Sequence, residues 1–223
     1  MVFSKPSDTD SDSITLGLLS AIEEDDRATQ RALSKELGIA LGLTNAYLKK
    51  CVRKGFVKVR QIPANRYAYY LTPQGFAEKS RLTAEYLTIS LNFFRSSREQ
   101  CAELLRECAY NRWSRVALAG FGDLAEIATL CVRDVPSVEI VGIIDTGARS
   151  GGDAGDDSLD SFAGLPVVKR LTDLGKVHAV IVTDFTDGQR VFDGLIRSVP
   201  PERVLTPRLL KVSRSEPRFE EDD

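Results

Sequence analysis

The chain has one histidine, His178, and four cysteines, Cys51, Cys101, Cys108 and Cys131, with no CxxC pair among them. A Ser-His-Asp relay therefore has a single imidazole to draw on. It stands at the head of the apolar run Val177 to Thr183, where a structural ring is expected rather than a base. The cysteine spacing spells neither a zinc site nor a disulfide scaffold, so buried structural thiols are expected. Cys101 and Cys108 lie one heptad apart, which adds a redox-sensitive contact between two copies as a minor reading. No uninterrupted apolar stretch approaches the eighteen residues of a membrane span, and the opening MVFSKPSDTDSDS lacks the basic region and apolar run of a leader. The expectation is a cytoplasmic chain with no membrane partner and no metal.

What is present is the material for two modest domains: 223 residues, 43% hydrophobic and 28% charged. The formal net charge is only −2, yet residues 28–66 hold nine Lys or Arg against one acid, Glu36. Basic residues concentrated in this way are the electrostatic footprint of a nucleic-acid-binding module. Within the same stretch the pattern predicts a short helix capped by Thr29, with Leu33 and Leu37 facing inward, and a turn at Gly38. A second helix follows from about Gly42 to Lys54, then a hairpin turning at Pro63-Ala64-Asn65-Arg66. At about 100° per residue, Leu48, Cys51 and Val52 gather on one side of the second helix, and Ala46, Lys49, Lys50 and Arg53 on the other. The hairpin strands alternate through Val57, Val59 and Ile62 before the turn, then Tyr67, Tyr69 and Leu71 after it. This order of elements is a winged helix-turn-helix, with double-stranded DNA as partner. Its DNA-binding candidates are Asn45, Ala46, Lys49, Lys50 and Arg53 on the reading helix and Arg66 on the wing.

The runs Leu37-Gly38-Ile39, Asn45, Leu48-Lys49, Lys54-Gly55-Phe56-Val57-Lys58 and Tyr70-Leu71-Thr72-Pro73-Gln74-Gly75 resemble MarR-type winged-helix regulators, most closely the exopolysaccharide-associated type. The resemblance covers roughly residues 14–95. It implies a dimeric transcription factor acting on polysaccharide-related genes. Ala40 stands where that family usually has a hydroxyl residue and Leu43 where a polar or basic reader is common, so base specificity does not carry over.

Around this centre the chain divides into a Ser- and Asp-rich start (1–12) expected to be disordered and a winged-helix domain (13–75). A long linking and dimerisation helix (76–113), a Rossmann-like domain (114–212) and an acidic tail (213–223) follow. The first helix is expected to begin with Ser13 as cap and to pack through Ile14, Leu18, Leu19 and Ile22. The long helix opens at Thr72-Pro73 and carries Leu82, Tyr86, Ile89, Phe93, Cys101, Leu104 and Cys108 at spacings near four and three, broken only at Ser96-Ser97. Such a seam suits two copies side by side, giving a homodimer. The other readings are a stripe packed within its own domain, or two helices.

From Ser114 the pattern changes to short apolar runs separated by helical segments, which predicts a small parallel sheet. The strands are placed at Arg115–Ala119, 138–144, 164–168, 177–183 and 203–206, with a mobile surface loop at 146–161. Gly120-Phe121-Gly122-Asp123-Leu124-Ala125 matches G-x-G-x-x-A between a strand and a helix, and Asp145 ends the next strand, twenty residues beyond Ala125. Gly120, Phe121, Gly122, Asp123 and Asp145 are the ligand-binding candidates. Asp123, Glu126, Asp145 and Asp184 all fall near strand ends, where they read equally as caps and loop residues.

Together with Val141-Gly142-Ile143-Ile144-Asp145 and Gly164-Leu165-Pro166-Val167, the glycine-rich turn resembles the Rossmann-type domain that precedes the catalytic part of polysaccharide-biosynthesis nucleotide-sugar dehydratases. No tyrosine lies between Arg115 and Val212, so the Tyr and Lys pair of short-chain sugar-nucleotide dehydrogenases is missing and no enzyme is expected. The fold class expected overall is α/β and α+β. The functional expectation is a dimeric DNA-binding regulator whose second domain senses a nucleotide or nucleotide-sugar. Two alternatives stand beside it: a constitutive DNA-binding protein with a ligand-free Rossmann-like scaffold, and a redox repressor sensing NADH.

Overall fold

The computed structural model describes residues 8–62, 66–147 and 160–214. The chain forms two compact units, 1–91 and 92–223. In the first, α1 (Asp8–Glu24), α2 (Gln30–Glu36) and α3 (Leu41–Arg53) precede an antiparallel hairpin of β1 (Val57–Ile62) and β2 (Arg66–Leu71). Hairpin register runs from Val57 opposite Leu71 to Ile62 opposite Arg66. The expected turn at 63–65 lies outside the described residues. Helix α1 starts at Asp8, five residues before the expected cap, because its first turns are tied to the domain rather than left free. The Thr15 hydroxyl donates to the Ser11 carbonyl at 2.8 Å, and Lys50 Nζ donates to Ser11 Oγ at 3.0 Å. Leu18, Leu19, Ile22 and Leu33 are sealed in the core with Tyr47, Leu48 and Cys51. Thr29 caps α2 by accepting the Ala32 N–H at 3.1 Å, and Gly38 turns the chain with φ +62°.

The exit from the wing is fixed by one side chain. Thr72 Oγ1 donates to the Gly55 carbonyl and accepts the Gly75 N–H, while the Thr72 N–H bonds the Phe56 carbonyl. Gly75 presses so closely on that carbonyl that a Cβ would fall 2.0 Å from it.

Helix α4 (Pro73–Tyr110) runs for 38 residues without a break at Ser96-Ser97 and contributes to both units. Its seam does not behave as one surface. Leu82 is buried in the first unit, whereas Cys101, Leu105 and Cys108 are fully buried in the core of the second, against Val116, Leu118, Leu124 and Ala128. The C-terminal half of the seam therefore belongs to its own unit and is not a contact between copies. Burial pushes the Cys101 and Cys108 thiols up to about 12, so they remain protonated, unreactive side chains and the redox contact has no exposed sulfur to use. Between the buried ends, Tyr86, Leu87, Ile89, Leu91, Phe93 and Phe94 are exposed.

The second unit builds, among the described residues, a six-stranded sheet in the order β5-β6-β4-β3-β7-β8. Its strands are β3 (Arg115–Ala119), β4 (Glu139–Ile144), β5 (Ser161–Phe162), β6 (Leu165–Val168), β7 (Ala179–Val182) and β8 (Val204–Leu205). All pairings are parallel except β5 with β6, a two-residue edge strand that begins at the last residue of the stretch read in sequence as loop. Helices α5 (Asp123–Cys131) and α6 (Gly188–Leu195) connect strands on this sheet. Strand β3 is central and buried on both faces, which is why Val116 to Ala119 show no polar alternation. The chain reverses direction across the sheet between β3 and β7, the position at which open parallel sheets form a crevice.

Candidate nucleic-acid interface and the glycine-rich turn

Helix α3 lies with Thr44, Tyr47, Leu48 and Cys51 against the core. The opposite side carries Gly42, Ala46, Lys49 and Arg53, all exposed. Two members of the expected faces sit elsewhere. Val52 is 38% exposed instead of packed, because the buried stripe is centred on Tyr47 and Cys51 and leaves Val52 at its edge. Lys50 is half-buried and turned away from the open face, its ammonium on Ser11 and 5.2 Å from the centre of the Tyr47 ring. Tyr47, buried beside Leu48, is a core residue that the helical-wheel reading did not name.

Asn45 is half-buried, and its Oδ1 is shut away from solvent without a hydrogen-bond partner. Arg66 starts β2, one residue beyond the undescribed turn. On the wing, Val57 and Tyr69 are buried, but Val59 and Tyr67 at the far end of the same face are 43% and 51% exposed. Between this end of the wing and α3 runs a groove of about 650 Å3. Ala46, Val52, Val59 and Tyr67 line it, with Leu48 and Tyr69 at its base and Gln30, Lys49 and Arg53 also on its walls. Lys58 and Arg60 are exposed on β1.

A three-helix unit whose third helix presents an open cationic face beside a two-stranded wing is a winged helix-turn-helix. Residues 11–58 match the family model described as winged helix-turn-helix DNA-binding, so the chain carries an N-terminal DNA-binding domain of that class. Comparison with curated proteins gives no match. Among solved structures, the chain is similar to human N-acetylserotonin methyltransferase in complex with SAM, at 13% identity and a TM-score of 0.29 over 92% of this chain and 81% of that one. A likeness of that depth carries no conclusion about chemistry.

In the sheet unit, the glycine-rich turn lies at the C-terminal end of β3. Gly120 is buried with φ +96°, its N–H donates to the Ile144 carbonyl at 3.0 Å, and a Cβ there would stand 2.7 Å from Asp184 Cβ. Gly122, with φ +138°, precedes α5 without any side-chain cap, and Asp123 is the exposed first residue of that helix. The helix thus begins two residues before Ala125. The Phe121 ring packs 6.0 Å from the Phe162 ring of β5. Asp145 follows the last residue of β4 and accepts the Gly147 N–H at 2.9 Å, turning the chain into the following loop.

The residue that dominates this corner is Asp184, only 2% exposed. It accepts the Thr146 hydroxyl at 2.6 Å and the N–H groups of Thr186 and Asp187 at 2.8 and 3.0 Å. Thr183 beside it donates to the Ala119 and Gly120 carbonyls. Arg190 ties the rim, bonding Asp187 and the Thr146 carbonyl. Asp184 is therefore a loop-ordering carboxylate whose backbone and Cβ occupy the space next to Gly120. The sequence shows it only as one acid among four after an apolar run. Its burial follows from β7 pairing directly with β3, which no local pattern reveals. His178 is the structural ring expected, its Nδ1 accepting the Arg115 N–H at 3.3 Å. Among the described residues no group of His, Cys, Asp or Glu is placed to hold a metal ion, and no helix is long and apolar enough to cross a membrane.

Proposed function

We propose that the protein is a dimeric DNA-binding transcriptional regulator. The observation that carries this reading is the outward face of α3, where Ala46, Lys49 and Arg53 stand exposed beside a wing bearing Lys58 and Arg60. Lys49 and Arg53 are the groups offered to the duplex, and Lys50 holds α1 in place. The exposed stretch of α4 from Tyr86 to Phe94 supplies the contact between copies: six large apolar side chains within nine residues exceed what one helix leaves in water. Full-length protein titrated with duplex at several salt concentrations tests this. Lys49→Ala and Arg53→Ala should each flatten the slope of log affinity against log salt by about 0.9, and Lys50→Ala should leave it unchanged. Salt-independent binding would end the DNA-binding reading.

For the sheet unit, the filling of the space beside Gly120 by Asp184 favours a scaffold without ligand. The sensing reading places a nucleotide or nucleotide-sugar, or NADH, on the uncapped α5 N-terminus at Gly122, with Asp145 at the ribose. Calorimetry against UDP-sugars and NADH decides between them: heat that disappears in Gly122→Val supports sensing, and no heat supports the scaffold. Regulation of polysaccharide-related genes rests on the sequence resemblance alone.

A further inference from the structure

The open side of α3 is unusual for a reading face in what it offers the edges of bases. Sequence is read in the major groove either by hydrogen-bonding side chains, with Asn or Gln on adenine and Arg or Lys on guanine, or by apolar contact with the 5-methyl group of thymine. An adenine contact through Asn45 needs both ends of the amide, and its oxygen is buried. The exposed surface beside it is instead apolar. Ala46 and Val52 on the helix face Val59 and Tyr67 on the wing across one groove, with Lys49 and Arg53 on the same walls.

The groove's polarity selects its occupant. An apolar surface of this extent left in water is unfavourable, and its surroundings are strongly cationic, with nine Lys or Arg against one acid over residues 28–66. A partner must then bring negative charge at its margins and methyl groups at its centre. The major groove of a thymine-bearing duplex does both, with phosphates flanking the base edges.

Resting on the DNA-binding reading above, we infer that the groove between α3 and the wing reads thymine 5-methyl groups, with Ala46, Val52, Val59 and Tyr67 as specificity-determining residues and Lys49 and Arg53 anchoring the backbone. Selectivity then comes from methyl burial and not from amide recognition of adenine.

The test uses the full-length chain to enrich duplexes from a random pool. Each thymine of the winning duplex is then replaced in turn by deoxyuridine, a change that removes only the methyl group. Affinity should fall about four-fold for each methyl seated in the groove, the factor equivalent to about 0.8 kcal/mol per buried methyl. In Val52→Ser, and separately in Val59→Thr, the thymine duplex should bind more weakly and the penalty for deoxyuridine at the matching position should shrink below about two-fold. Both side chains are exposed enough for these changes to leave the fold intact. Tight binding of a duplex indifferent to deoxyuridine overturns the inference, leaves DNA binding standing and gives the groove to some other occupant. A chain that enriches no duplex at all overturns both.

Discussion

Two corners of this molecule carry sequence patterns of equal apparent promise, and they are physically unlike. On α3, the residues opposite the core, Gly42, Ala46, Lys49 and Arg53, are exposed, and a groove lies open beside them. Beside Gly120, by contrast, the chain itself is the occupant. Asp184 stands against Gly120, Thr183 satisfies its carbonyl, and Thr146 and Arg190 close the rim. A helix-face pattern reports which side chains are left over once a core is made, so it points outward to a partner. A G-x-G-x-x-A turn reports only that the backbone needs positive φ and close approach, and a loop of the same chain meets that need as well as a phosphate does.

The largest test of this contrast is to place a side chain at a glycine in each region. Gly120→Val should cost more than about 3 kcal/mol, because its Cβ would meet the Asp184 backbone and Cβ inside 3 Å at a positive φ. Gly38→Ala in the winged unit, also at positive φ but with nothing within 4 Å, should cost only about 1 kcal/mol. Thermal unfolding of both variants checks the pair, and equal costs would mean that the turn is not packed from within.

The next effect concerns α4. On the proposed dimeric reading, Ile89→Asp with Phe93→Asp puts charge into the exposed apolar stretch and should halve the mass seen by light scattering, with some loss of stability because the Phe93 ring also packs 5.2 Å from that of Phe185. A mass unchanged from the parent at micromolar protein would overturn this stretch as the contact between copies.

A smaller effect separates the units by pH. Cys101 and Cys108 have folded values pushed up to about 12 by burial. In the unfolded chain these thiols ionise near the ordinary value of 9.0. Their contribution is therefore fully present below about pH 9 and is lost as pH rises toward 12, where the unfolded state gains charge that the folded core refuses. Cys51 in the winged unit, pushed up to about 11, follows with a narrower window. Denaturant titrations at pH 8 and 10.5 should show the loss, and thiol reagents should label these sulfurs only after unfolding. Ser97→Ala is the smallest change. The Ser97 hydroxyl is fully buried without a partner, so replacing it should raise stability by about 1 kcal/mol.

The sequence was legible wherever one periodicity governed a whole element. The helix-turn-helix and wing, a long helix after them and the run of β3, β4, β6, β7 and β8 follow from helical and apolar patterning, with the ends of the sheet strands shifted by a residue or two. Misreadings came where a residue's fate depends on a distant partner. The first turns of α1 read as disordered because their anchor, Lys50, lies 39 residues away. The end of the α4 seam read as a contact between copies because Cys101 and Cys108 have the same spacing whether they meet a second helix or their own sheet. Lys50 and Arg53 look equivalent on a helical wheel, yet only Arg53 is free of α1.

The place of β3 at the centre of the sheet has a kinetic consequence. Its neighbour β7 lies far along the chain, with Arg115 bonded to His178 across 63 residues, whereas the hairpin partners of the wing are separated by a single short turn. Closing the longer loop is entropically slower. During synthesis the winged unit has all its strands in hand long before β7 emerges, so it should fold first and leave Val116 to Ala119 uncovered meanwhile. A pulse of hydrogen exchange during refolding should accordingly protect the Tyr69 and Thr72 amides, bonded to the Asp26 and Phe56 carbonyls, ahead of those of Leu118 and Ile181.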